Sequence, residues 1–217
     1  MSLRLQQQIA YKGILGLWTI EEDEPWFLDK MQLTTEEQKQ LNGMRGRRRL
    51  EWLSARMLVH ELSGREERAH LVKDEFGKPY IKDSTHHISI SHSGKLAAVV
   101  AAPCVVGIDI QLLVPKLERL MHKYMNAEEI NGLEEHHKLQ QLHVYWGAKE
   151  ALYKAYGRRA LDFCTNIKVT PFQYDSKGGE TQGVIIKDDY YVEFKVIYKM
   201  IETHMLVYVL AKEKSST

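Results

Sequence analysis

Residues 144–157, VYWGAKEALYKAYG, carry a carboxylate and two ammonium groups at helical spacing. Tyr145, Ala148, Leu152 and Ala155 recur at intervals of three and four, which makes an apolar stripe for a core. Gly147, Glu150, Lys154 and Gly157 fall on the other side, and Gly157 suits a helix stop. Glu150 and Lys154 are i, i+4 neighbours, while Lys149 projects about 100° away from Glu150 around the helix. Taken alone, the stretch reads as a surface helix whose ion pair is worth about 0.3 kcal/mol. A second carboxylate adds to it. Asp109 lies in VVGIDIQ, residues 105–111, where Val106, Ile108 and Ile110 share one face of a strand and Gly107, Asp109 and Gln111 the other. A charged Asp in an apolar strand is costly unless it pairs with a cation or ligates one. Magnesium takes oxygen ligands and keeps phosphates and water in its shell. One Asp from a strand and one Glu from a facing helix would suffice for a site handling a divalent cation and a phosphate ester. An Asp at a strand end, paired to Lys or Arg, is the structural alternative.

These residues sit in a wider pattern. G-K-P (77–79), S-H-S-G (91–94), G-I-D-I (107–110) and W-x-x-K-E-A-x-x-K (146–154) follow one another along the chain. In that order and at those intervals they resemble the 4′-phosphopantetheinyl transferases, in particular the larger, surfactin-synthetase-activating type. The resemblance runs well from about residue 50 to residue 157 and holds only in character outside it. It implies an α+β fold of two similar α+β halves in a pseudo-twofold arrangement, residues 1–104 and 105–217, with the active site in the cleft between them. It implies Mg²⁺-dependent transfer of the 4′-phosphopantetheine arm of coenzyme A to a serine of an apo acyl, polyketide or peptidyl carrier protein, releasing adenosine 3′,5′-bisphosphate. Carried over residue by residue, Asp109 and Glu150 match the metal ligands. Lys154 matches the lysine on the coenzyme phosphates. Lys78 and His92 match positions near the adenosine and 3′-phosphate, with Pro79 and Ser91 in the same motifs. Lys149 sits in its motif with an expected electrostatic role. Glu150, directly or through a metal-bound water, is the expected general base. Gln111 stands where many members have Glu; it is a candidate third ligand that lowers the negative charge of the site by one. Gly147 replaces a Ser or Thr common at its position.

Other candidates read less specifically. Arg45, Arg47, Arg48 and Arg49 form a basic run that is either a solvated helix face or a contact for coenzyme phosphates or an acidic carrier; Arg56 is a similar candidate. The histidines at 86, 87, 136, 137 and 143 lack the accompanying Cys or carboxylate spacing of a zinc site. A non-catalytic adaptor for coenzyme A or a carrier, and a nucleic-acid module built on the RGRRR run, are the competing functional classes. The formal net charge of +1 speaks against the second.

The 217 residues are enough for one large or two small domains. The two cysteines, Cys104 and Cys164, are too few for a disulfide framework. Gln6–Gln8, Lys12 and Gly13 interrupt any signal-peptide core, and no apolar run reaches membrane-spanning length. The protein is expected to be soluble, cytoplasmic and monomeric.

The elements that must hold these groups can be sketched. Thr34 with Glu37 and Asn126 with Glu129 have helix-start spacing. A helical pattern runs from Thr34 to Leu62 with a break expected at Gly43–Gly46, and Glu134 to Tyr156 reads as the longest helix of the second half. Residues 14–20, 86–91, 96–102 and 105–111 read as strands, 71–73 and 78–81 as short ones. Beyond Gly157 the pattern turns to β, at 167–170, 183–187, 190–198 and 205–210.

Overall fold

The computed structural model describes residues 2–68 and 70–212. The chain begins β1 (Leu3–Ile9), β2 (Gly13–Thr19), α1 (Glu24–Lys30), α2 (Thr35–Asn42), α3 (Arg47–Ser63), β3 (Leu71–Lys73), β4 (Pro79–Ile81), β5 (His87–Ser93), β6 (Leu96–Ala102) and β7 (Val106–Leu112). It continues α4 (Leu117–Leu120), α5 (Ala127–Asn131), α6 (Lys138–Tyr156), β8 (Ile167–Val169), β9 (Gly179–Lys187), β10 (Tyr190–Ile201) and β11 (His204–Ala211). Both capping boxes form as their spacing implies: Thr34 with Glu37 opens α2, and Asn126 with Glu129 opens α5. The pattern from Thr34 to Leu62 is two helices, parted at Gly43–Gly46. The long helix starts later than Glu134, after a 3₁₀ turn at Glu135–His137. β1 was not among the expected strands. Its alternation of Leu3, Leu5 and Ile9 is diluted by three glutamines, and pairing with β2 supplies what propensity lacks.

Two antiparallel sheets result, ordered β1-β2-β6-β5 and β7-β11-β10-β9-β8, with β3-β4 as a separate hairpin. Helix α3 covers the first sheet, seating Leu53, Met57 and Leu58 among Trp18, Ile88 and Val99. Helix α6 covers the second, with Tyr145, Ala148 and Leu152 against Val196, Val207 and Val209. A third core lies between the sheets, where Leu15, Leu17 and Val100 meet Val106, Ile108 and Leu206. The architecture is therefore α+β. In each sheet three neighbouring strands that include one edge follow the same order, β2-β6-β5 and β7-β11-β10. No helix of the described residues is long and apolar enough to cross a membrane.

The sheets meet edge to edge at β5 and β7, which belong to different sheets and form no main-chain ladder. The alternation in HISISHS brings three hydroxyls to the seam. Ser89, Ser91 and Ser93 accept hydrogen bonds from the backbone N–H groups of Ile108, Ile110 and Leu112 at 3.1, 3.2 and 3.2 Å. Alternate N–H groups of β7 thus find side-chain acceptors in place of a strand partner.

Candidate active site

Strand β7 and helix α6 build the centre. Gly107, Asp109 and Gln111 face α6, while Val106, Ile108 and Ile110 enter the core between the sheets, as the alternation implies. The polar side of α6 faces β7 and not solvent, because a glycine lies at each closest approach. A Cβ on Gly107 would stand 1.8 Å from the Ala151 carbonyl oxygen; the side that Gly147 leaves open is filled by Val207 and the Gln111 amide.

Asp109 is buried, with 8% of its surface exposed. Its Oδ1 accepts from Lys154 Nζ at 2.8 Å and from the Ser91 hydroxyl at 3.0 Å. Lys154 also donates to Ser91 Oγ at 3.0 Å and to the Ile108 carbonyl at 2.9 Å. All three ammonium protons of Lys154 are thereby directed. Ser91 donates once and accepts twice, so it links the seam to the site and has no further proton to give. Glu150 sits near this pair and accepts no hydrogen bond among the described residues. Burial pushes its carboxyl above the usual range, the charge of Asp109 adds to that, and Lys154 pulls the other way.

Two carboxylates and one ammonium leave a net negative site built from oxygens, and this donor set fits a hard divalent cation. Among the described residues no group of three or more His, Cys, Asp or Glu gathers around such a position. A third protein oxygen would have to come from Gln111. Its Nε2 donates to the His143 carbonyl at 3.0 Å, which leaves Oε1 as the free end of the amide. A glutamate there would set its carboxylate against that carbonyl, so the neutral residue suits this helix.

Beside this centre lies a cavity of about 260 Å³, between β5 with residues 76–79 on one side and the end of α6 on the other. One wall is Phe76, Gly77, Lys78 and Pro79 with Ser89 of β5; the other is Tyr153 and Lys154, then Gly157, Arg158 and Arg159. Lys78 reaches across it and donates from Nζ to the Ala155 carbonyl at 2.6 Å, capping the end of α6. Burial holds its ammonium below the usual lysine range, with Asp74 opposing.

Residues 105–204 match the family model of the 4′-phosphopantetheinyl transferase superfamily. No curated protein matches the chain. The matched span runs from β7 into β11 and contains Asp109, Gln111, Glu150 and Lys154; Lys78, Ser91 and His92 lie outside it. Phosphopantetheine transfer is the general activity of that superfamily.

The structure brings Asp109, Glu150, Lys154, Ser91 and Gln111 together, and Lys78 and Pro79 into the adjoining cavity. Lys149, Arg49 and Arg56 are committed elsewhere. Lys149 does not face the site. Its side chain is 0% exposed and lies against Glu129 at 2.8 Å, with further bonds to the Phe163 and Ile167 carbonyls. It ties α5 and the loop before β8 to α6, so its charge serves folding. Arg49 is likewise committed: its guanidinium forks onto Glu24 and donates to the Leu41 carbonyl, holding α1 and α2 to α3. Arg56 is buried over the Trp52 ring at 3.4 Å and bonded to Glu37, its pKa brought down to about 10 by burial. His92 does not line this cavity; its Nδ1 lies 3.3 Å from Glu51, which also approaches Arg47 at 3.7 Å. Arg45 is exposed in a shallow depression with Lys39, Arg48 and Lys73. Phe76, Ser89, Tyr153, Arg158 and Arg159 were not anticipated. The arginine pair directly after Gly157 was the readable signal.

Two outcomes follow from this geometry. Lys149→Met is expected to cost about 3 kcal/mol in urea denaturation, because Glu129 is left buried without its cation. Ligand binding by the remaining folded protein should be unchanged, and weakened binding would return Lys149 to the site. Gly157→Ala puts a Cβ 2.5 Å from Lys78 Cδ at a φ of +70°. It is expected to lower stability by about 1–2 kcal/mol through the left-handed backbone. It should also weaken coenzyme A binding in calorimetry as Lys78 is displaced; unchanged affinity would separate Lys78 from the ligand.

Proposed function

We propose that the protein is a Mg²⁺-dependent 4′-phosphopantetheinyl transferase of the larger two-half type, moving the phosphopantetheine arm of coenzyme A to a serine of an apo carrier protein. The observation that carries this is the Asp109–Lys154–Ser91 cluster with Glu150 beside it, at the mouth of a cation-lined cavity. In this reading residues 1–104 and 105–217 are equivalent halves related by an approximate twofold, supported by the matching order β2-β6-β5 and β7-β11-β10 and by one covering helix each. The protein acts as a cytoplasmic monomer, since both walls of the cavity come from one chain.

Asp109, Glu150 and Gln111 Oε1 would hold the metal, which supplies positive charge to the coenzyme pyrophosphate when bound. The protein's own groups do the rest. Lys78 and Lys154 hold coenzyme phosphates at the cavity wall. Lys154 exchanges Asp109 for a phosphoryl oxygen when the coenzyme enters, keeping a fixed cation on the side where the leaving phosphate gathers charge. Glu150 takes the proton from the carrier serine as its oxygen attacks phosphorus. A carboxyl raised above the usual range is the stronger base for that transfer. The apolar wall of Ile88 and Ile90 limits water around the coenzyme.

The test is direct. Incubation with coenzyme A, Mg²⁺ and an apo carrier protein should add one phosphopantetheine to the carrier, read by mass spectrometry. No addition across acyl, polyketide and peptidyl carriers would sink the reading, and coenzyme binding without transfer would favour an adaptor.

A further inference from the structure

Arg158 and Arg159 line the same cavity but belong to no motif above. Both are exposed, and neither forms an ion pair among the described residues. The turn that carries them has left-handed backbone at both ends, φ +70° at Gly157 and +68° at Ala160. Alanine rarely adopts that conformation, because its Cβ crowds the following carbonyl oxygen. Such strain persists where the surroundings impose it, and it gathers at ligand-holding segments. Here Lys187 Nζ donates to the Ala160 carbonyl and fixes the far end of the turn. The near end rests on aromatic rings: the Arg158 guanidinium lies 6.0 Å from the Tyr156 centroid, and Tyr156 stands edge-on to Tyr190 at 4.9 Å. Lys78 faces the turn across the cavity, and no Asp or Glu lines the cavity at all.

We infer that Arg158 and Arg159 form a strained arm that, with Lys78, grips a terminal phosphomonoester, which under the function proposed above is the 3′-phosphate of coenzyme A. A phosphomonoester carries about −1.5 to −2 charges near neutral pH, more than Lys78 alone balances. Guanidinium groups meet its oxygens two at a time, which makes the contact directional. His92 does not line this cavity, so the arm takes the place at the 3′-phosphate that the family resemblance had given to it. Lys154 remains at the carboxylate end, and the two ends of the coenzyme are held by different cations.

The inference rests on the proposed function, and the experiment separates the two. Calorimetric titration of the wild type and of Arg158→Ala/Arg159→Ala with coenzyme A and with 3′-dephospho-coenzyme A is run beside the carrier-loading assay. The double variant should melt like the wild type, bind coenzyme A at least about tenfold more weakly, and bind the dephospho form unchanged. Arg158→Lys/Arg159→Lys should recover part of the discrimination. Wild-type transfer with equal coenzyme A affinity in both proteins, or an equal loss for both ligands, overturns the arm and leaves the function standing. Absence of wild-type transfer and of coenzyme binding overturns both.

Discussion

Glu150→Gln is expected to remove the proposed phosphopantetheine transfer and at the same time to make the protein harder to unfold at pH values where the wild-type carboxylate is ionised. Loss of a general base costs roughly 10²–10⁴-fold in rate, so the turnover of the variant falls by about three orders of magnitude. The stability change has the opposite sign to a usual active-site lesion. Burial and the Asp109 charge hold the Glu150 carboxyl above its ordinary range. The folded state therefore binds this proton more tightly than the unfolded chain does. Its stabilising contribution is complete below the unfolded value and is lost as pH rises through the folded one. Once ionised, Glu150 works against folding, and glutamine removes that penalty while keeping the shape. Denaturant melts across mildly acidic to neutral pH should show wild-type stability falling with pH and the variant flatter and higher. Added Mg²⁺ should stabilise the wild type and not the variant. Full transfer by Glu150→Gln, or a wild-type melt that rises with pH while the variant's does not, would remove Glu150 from its role.

Gly107→Ala is expected to lose the fold. The added methyl would stand 1.8 Å from the Ala151 carbonyl oxygen and 2.7 Å from its carbon, both backbone atoms of α6. No side-chain rotation relieves that overlap, so the helix must lift from β7. Overpacking commonly costs ~1–3 kcal/mol, and a backbone clash belongs to the rare class near 5. Lifting α6 also draws Glu150 and Lys154 away from Asp109. Gly147→Ala is the control. Its methyl would meet Val207 Cγ2 at 2.7 Å and Cβ at 3.2 Å, side-chain atoms at a longer distance than the backbone clash of Gly107, so the cost should be smaller. A fold that tolerates Gly107→Ala but not Gly147→Ala would contradict this account of the helix seat.

The pairing of Asp109 with the polar side of α6 was legible because strand alternation and the i, i+4 spacing are local. Each says which way a side chain points once its element forms. Lys149 could not be placed this way. Its destination depends on which faces of α6 are covered, and this helix is covered almost all round: β7, β8, β9 and β11 all touch it. The partner Glu129 belongs to a capping box twenty residues earlier in the chain, and Lys149 reads it only through the fold. Arg49 and Arg56 were lost for the same reason, since Glu24 and Glu37 lie on other helices. The break at Gly43–Gly46 and both capping boxes were local signals and were readable. The 3₁₀ start at Glu135 and strand β1 were not, because each depends on what it packs against.

The hydroxyls of Ser89, Ser91 and Ser93 have a mechanical consequence. Because Ser91 belongs both to this seam and to the Asp109–Lys154 cluster, parting the sheets strips the acceptors from Ile108 and Ile110 and dismantles the cluster in the same movement. Each buried N–H left bare costs about 1–3 kcal/mol, so neither sheet opens by itself at low cost. The two sheets are therefore coupled into one cooperative unit, and the chemistry cannot be kept while either is let go. The same hydroxyls also close an edge. A β7 whose outward N–H groups are satisfied offers no template to a strand from another molecule, which protects the chain from edge-to-edge aggregation where its two sheets would otherwise be most exposed to it.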